Sequence, residues 1–160
     1  MTREQLQAII DCPRTFLGRC YKIHERIAAK RERINSWRER AESTTVTLSH
    51  TGGLSGGGYK QSIVANSVVS IITLEEEITA EIEELMQVER EVGYVINTLV
   101  TDSRYKTLLE MRYLNQLRME EIAARLGYAF RWTQRLHGKA LKDLKEAALS
   151  AQDSCYNDIM

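Results

Sequence analysis

Proline is almost missing from this chain: Pro13 is the only one in 160 residues, and aromatic side chains make up only 7%. A β-sandwich or barrel needs frequent turn residues, so the scarcity points toward long helices. No apolar run approaches the roughly 20 residues of a membrane span. The opening Met1-Thr2-Arg3-Glu4-Gln5 carries an acid and lacks the apolar stretch of a signal peptide. The three cysteines, Cys12, Cys20 and Cys155, form no CxxC pair and no even disulfide set. We therefore expect free thiols, a cytoplasmic protein and no membrane partner.

Net charge is also lacking, with 22 Lys and Arg against 22 Asp and Glu. The zero is a cancellation between segments. Residues 1–42 carry +4, residues 43–61 carry +1, residues 62–102 carry −8, residues 103–146 carry +5, and the remainder −2. Sign that is segregated along a chain says more about partners than the total does.

What is present is helical periodicity. Over residues 14–42, Phe16, Cys20, Ile23, Ile27, Ile34, Trp37 and Ala41 recur at steps of three and four, interrupted at Lys30. That is the apolar seam of a coiled coil. A short amphipathic helix with Leu6, Ile9 and Ile10 precedes it, and Pro13 suits a first helical turn, where its missing N–H has no partner to lose. Over residues 62–99, Val64, Ile71, Ile78, Leu85, Val92 and Leu99 repeat every seven residues, with Val68, Ile82 and Ile96 in the companion position. This second helix spans roughly 55 Å at 1.5 Å per residue. Five glycines and many Ser and Thr between the two predict a flexible loop over 43–61. The two helices are expected to fold back as an antiparallel hairpin, pairing Ala41 with Val64, Ile34 with Ile71, Ile27 with Ile78 and Lys30 with Glu75. Pairing with a second chain is the open alternative.

Beyond Asp102-Ser103, either of which can cap a helix, three short helices are expected: about 103–114, 118–126 and 129–147. The stretch Glu120-Glu121-Ile122-Ala123-Ala124-Arg125-Leu126-Gly127-Tyr128 has the logic of a helix-turn-helix. A small Ala lets the helices approach, Ile and Leu pin the first one to the core, and Gly permits the turn. The helix that follows offers Arg131, Gln134, Arg135, Lys139 and Lys142. Arg suits bidentate contact with guanine, Gln with adenine, and Lys with phosphate. The local +5 supplies a salt-dependent attraction to DNA.

Arg112-Tyr113, Glu120-Glu121-Ile122-Ala123, Gly127 and Arg135-Leu136-His137-Gly138-Lys139-Ala140-Leu141 resemble the region-4 helix-turn-helix of sigma-70 factors. A fuller pattern runs through nearly the whole chain to about residue 146. It comprises a basic helix, a Gly-rich break, a Leu/Ile/Glu-rich helix and the segment Leu108-Leu109-Glu110-Met111-Arg112-Tyr113. This pattern resembles the ArpU-like and RinA-like late transcriptional regulators of bacteriophages. The resemblance implies base reading by Phe130, Arg131, Gln134 and Arg135, and work inside a bacterial host cell. Arg131 stands where sigma factors commonly have an acid, so the sigma promoter sequence is not implied as the target. Ala129 stands where a Ser often caps the recognition helix. Arg118 stands where Ser or Thr often caps the helix before it, and is assigned to a phosphate contact.

The other residues are given quieter roles. Trp132 is read as leaning toward the core, and Tyr113 and Tyr128 as packing residues. His137 is open between a phosphate contact and a surface position, and Gly138 is read as a close-packing residue. Gly52–Lys60 is only faintly like a phosphate-binding loop: the pattern fails, since Gly53-xxxx-Gly58 is followed by Tyr59 rather than Lys then Ser or Thr, and no parallel-sheet pattern surrounds it. Cys12, Cys20 and His24 lack a fourth metal ligand, and Cys20 fits the apolar seam. No catalytic constellation stands out, so no enzyme, metal or cofactor is expected. The acids of residues 75–91 are read as solvating their helix and pairing with the basic arm.

The expected fold is therefore all-α. Residues 1–102 form a coiled-coil-like hairpin that oligomerises the protein, residues 103–147 a sigma-region-4-like helix-turn-helix, and residues 148–160 a tail without pattern. The expected function is sequence-specific binding of double-stranded DNA to regulate phage late genes, with bacterial RNA polymerase and a second copy of the chain as partners. The alternatives are a small-terminase-like packaging protein and a polymerase-binding module without DNA specificity.

Overall fold

The computed structural model describes the backbone of residues 1–50 and 57–157, and the side chains outside 44–63 and 155–160. Every regular element among the described residues is helical. The order is α1 (Arg3–Asp11), α2 (Pro13–Leu17), α3 (Arg19–His50), α4 (Gly57–Leu99) and α5 (Ser103–Leu109). A π-helical turn (Glu110–Leu114), α6 (Met119–Leu126) and α7 (Phe130–Asn157) follow. No described helix is long and apolar enough to cross a membrane.

The chain divides into two compact units, one made of Met1–Lys22 with Met86–Met160, the other of Ile23–Leu85. This differs from the expected division at residue 102. The first 22 residues belong with the C-terminal segment, because α1 packs on both α2 and α7. Leu6, Ile9 and Leu17 are buried in that unit together with Val92, Ile96, Leu108, Ile122, Leu144 and Ala148. Helix α1 starts at a reciprocal cap. The Gln5 N–H donates to Thr2 Oγ1 at 3.2 Å, and the Thr2 N–H donates to Gln5 Oε1 at 3.0 Å. Pro13 opens α2 as its first residue. Gly18 then interrupts what the periodicity reads as one helix from residue 14. A Cβ there would stand 2.9 Å from the Arg14 carbonyl oxygen, so the turn admits only glycine.

In the other unit, α3 and α4 run antiparallel, since their ion-pair partners descend along α4 as they ascend along α3. Arg26 meets Glu84 at 2.6 Å and Glu81 at 3.3 Å, and Lys30 meets Glu81 at 3.0 Å and Glu77 at 2.8 Å. Arg38 meets Glu75 at 3.1 Å. The acids of α4 thus do pair with the basic arm, but in a different register. Lys30 pairs with Glu77 and Glu81, not Glu75, and Ile34 lines a surface recess with Ile78, one heptad beyond the expected Ile71. The cause is the repeat itself: a seam recurring every seven residues packs almost equally well after a slip of one heptad, and the charges then choose. A further departure is that Val68 (48% exposed) and Ile82 (37%) lie outside the seam, while Ile78 and Leu85 are buried in it.

Helix α3 continues to His50 and α4 begins at Gly57, so the expected loop 43–61 is helical at both ends. Extending an existing helix fixes one residue per hydrogen bond gained, and no Gly or Pro stands between residues 43 and 50 to stop it. The rest of that expected loop, residues 51–56, lies outside the described residues. The expected tail also departs from the reading. Helix α7 runs on to Asn157, Ala148 is fully buried, and Gln152 Nε2 donates to Gln7 Oε1 on α1 at 3.3 Å.

Candidate nucleic-acid interface

The short elements of the first unit are held by capping and turn chemistry. Asp102 is the cap of α5, accepting the Arg104 N–H at 2.8 Å while its other oxygen takes Arg104 Nη2 at 2.9 Å. That guanidinium holds the Asp102 carboxyl below its ordinary range. Lys106 Nζ donates to the Asn97 carbonyl at 2.9 Å, a cation placed at the negative end of α4. After the π-helical turn, Gln116 takes φ +55°, in the left-handed region, and Arg112 Nη1 donates to the Leu117 carbonyl at 2.9 Å. This clamps the chain as it enters α6.

Arg118 precedes α6 with no acceptor to offer its free N–H groups. Only half of a reciprocal cap forms there, with the Arg118 N–H donating to Glu121 Oε2 at 2.7 Å. Helix α6 turns its apolar side inward, with Ile122 and Ala123 buried, and packs on α7. It ends at Gly127, whose φ of +68° lies in the left-handed region. The Tyr128 N–H returns to the Ala123 carbonyl at 2.9 Å and the Gly127 N–H to the Ala124 carbonyl at 3.4 Å. These are the two bonds of a Schellman turn, which a residue without Cβ adopts without strain. Helix α7 begins three residues later, after Ala129, which has no side-chain acceptor to cap it.

Helix α7 divides sharply by side. Thr133, Leu136, His137, Ala140, Leu144 and Ala148 are buried, at the three- and four-residue spacing of one helix face. Arg131, Gln134, Arg135, Lys139 and Lys142 are all exposed, as are Phe130 (41%) and, at the start of α6, Arg118. Arg131, Arg135 and Lys142 share the outward face, flanked by Gln134 and Lys139. Lys142 also has an intrahelical neighbour, Glu146 Oε1 at 3.6 Å. Lys145, three residues on and outside the expected set, is exposed as well, and its spacing from Lys142 puts it on the same surface.

Four readings of individual residues are corrected. Trp132 is not in the core but 45% exposed, with Lys139 Nζ 5.8 Å from its ring centroid. The polar Thr133 takes the inward position instead, its hydroxyl donating to the Ala129 carbonyl at 3.3 Å. Tyr128, read as packing, is 37% exposed. His137 is neither a phosphate contact nor a surface residue: it is buried, and its Nε2 lies 3.0 Å from the Tyr113 hydroxyl. Gly138 has nothing within 4 Å of where a Cβ would stand, so close packing does not explain it.

The buried pair is electrically quiet. Burial, and then the positive charges of Arg14 and Arg112, push the His137 pKa down to about 4. Burial raises the Tyr113 phenol. Both rings are therefore neutral at pH 7, and the phenol can donate to an unprotonated Nε2. The exposed cations around them carry the positive charge of this surface. Among the described residues no group of three or more His, Cys, Asp or Glu is able to hold a metal ion. Cys20 is buried, as its place in the apolar seam suggests.

The model of one protein family, described as "Protein of unknown function (DUF1492)", matches residues 49–145. The chain belongs to that family. The DUF1492 match takes in the turn at Gly127 and all seven residues singled out for DNA contact, and stops short of the last part of α7. No curated protein and no solved structure matches the chain.

Proposed function

We propose that the protein is a sequence-specific DNA-binding regulator of transcription, serving phage late genes, and that it reads the major groove with α7. The observation that carries this reading is the division of α7 next to a tight glycine turn. One face is buried in its own unit, and the other presents two Arg, a Gln and two Lys whose partners among the described residues are Trp132 and Glu146. A helix fixed at its back and cationic at its front is what a major groove accommodates, since the groove is about as wide as a helix. In this reading Arg131, Gln134 and Arg135 address bases, Phe130 a thymine methyl group, and Arg118, Lys139 and Lys142 phosphates.

One small reading head buries limited surface, and specific binding usually draws on two half-sites or on a second protein. The exposed Val68, Val69 and Ile72 on α4 favour a second copy of the chain as that help. The exposed aromatics Tyr128, Phe130 and Trp132 favour, as a second reading, contact with RNA polymerase beside the DNA.

The test is selection of bound fragments from the source genome at near-physiological salt, run beside the Arg131→Ala/Arg135→Ala double variant. Enrichment of a site upstream of an operon, lost in the variant, supports regulation. Absence of any enriched fragment overturns sequence-specific binding and leaves the polymerase reading in front.

A further inference from the structure

Glycine inside a helix is less favourable than alanine because it gives up more backbone freedom on folding. The fold usually supplies the reason for keeping it. Gly127 has a left-handed φ of +68°, and at Gly18 a Cβ would stand 2.9 Å from a carbonyl oxygen. Gly138 has neither excuse. It lies within α7, its φ is not positive, and the space where a side chain would stand is open.

Its position is informative. Gly138 follows Arg131 by seven residues and Arg135 by three, and precedes Lys142 by four, so it sits in the middle of the outward cationic row. Lys139 is its neighbour. The rise from Arg131 to Gly138 is about 10 Å at 1.5 Å per residue, close to the roughly 8.5 Å depth of a major groove. A helix that enters by its N-terminal end, with Arg131 and Gln134 on base edges, therefore reaches the rim of the groove near Gly138. That rim is sugar and phosphate, and Lys139 and Lys142 stand where its charge would be met.

We propose that Gly138 is the point at which the backbone of one DNA strand passes over α7, the missing side chain setting how deeply the helix seats. This rests on the DNA-binding reading above. The side chain is absent for the partner's sake, at some cost to the free protein.

The experiment compares the full chain with Gly138→Ala and Gly138→Leu, by thermal melting and by titration of a mixed-sequence duplex about three helical turns long, across a series of salt concentrations. Gly138→Ala is expected to raise Tm by about 2–4 °C, the usual effect of such a change in a chain of this size. Duplex affinity is expected to fall about fivefold or more, the scale of an overpacked contact, and further for Gly138→Leu. The slope with salt should stay unchanged, since no cation is removed. Variants that bind within about twofold of the parent overturn the inference alone, as does a lowered Tm for Gly138→Ala, which would give the glycine a structural role. A parent chain that does not bind the duplex even at the lowest salt, and enriches no genomic fragment, overturns the DNA reading and this inference with it.

Discussion

Tyr113 and His137 face each other inside the first unit, ring centroids 5.8 Å apart and 29° from parallel, with the phenol oxygen 3.0 Å from Nε2. The pair joins the π-helical turn to the inner side of α7. It is the polar contact within the buried row of that helix, which Thr133, Leu136, Ala140, Leu144 and Ala148 complete.

The pair makes stability depend on pH. The folded-state pKa of His137, about 4, lies below the ordinary 6.5, so the unfolded chain binds the proton more readily between those values. Stability is full above about pH 6.5, falls as pH drops toward about 4, and loses on the order of 3 kcal/mol over the whole interval. Denaturant melts at pH 7, 6 and 5 check this. Most of the slope should disappear in His137→Leu, and a slope that persists there would assign it to other groups.

Removing only the hydroxyl leaves a buried imidazole nitrogen without its partner. Tyr113→Phe should therefore cost about 1–3 kcal/mol, although it keeps the ring and its packing. Urea unfolding at pH 7 measures this, and a cost below the error of the method would mean that water replaces the phenol.

The register of α3 on α4 can be tested by charge exchange. Lys30→Glu should lower Tm by setting three acids together, and Glu77→Lys or Glu81→Lys in the same chain should restore part of the loss. Glu75→Lys should restore none, because Glu75 lies against Arg38. Rescue by Glu75→Lys would put the helices in the register that pairs Ile34 with Ile71.

Two left-handed residues should respond oppositely to substitution. Gly127→Ala forces a Cβ into φ +68° and should cost about 1–2 kcal/mol. Gln116→Gly relieves φ +55° and should gain up to about 1 kcal/mol. Thermal melting of the two single variants suffices, and the same sign for both would contradict the backbone argument.

Trp132→Ala should leave stability within about 0.5 kcal/mol of the parent, as a surface change does, whereas a core tryptophan would cost 3–5 kcal/mol. Duplex binding measured on the same sample separates the roles. Lost affinity at unchanged Tm would place Trp132 and its neighbour Lys139 on the partner's side.

The parts that could be read from sequence are those governed by local chemistry. Ile122, Ala123 and Gly127 announce a helix, its buried side and its end, and the structure has all three. Helical periodicity likewise gave the all-helical class. What could not be read depended on distant partners. His137 looks like a surface residue until Tyr113, 24 residues earlier, is seen to bind it. Trp132 is large and apolar and so reads as a core residue, while the polar Thr133 holds the position that continues the buried row. The heptads of α4 look alike, so their spacing fixed a seam without fixing a register. Nothing in Leu6 or Ile9 announced that their helix would lie against α7.

That last pairing bears on synthesis. Met1–Lys22 and Met86–Met160 share one unit, with residues 23–85 made between them. At about 5–20 residues per second, α1 and α2 leave the ribosome many seconds before the helix they pack on exists. Until then Leu6, Ile9 and Leu17 have no complete core to enter. A nascent chain therefore carries α1 and α2 without the helix that covers them until α7 has been made and seated.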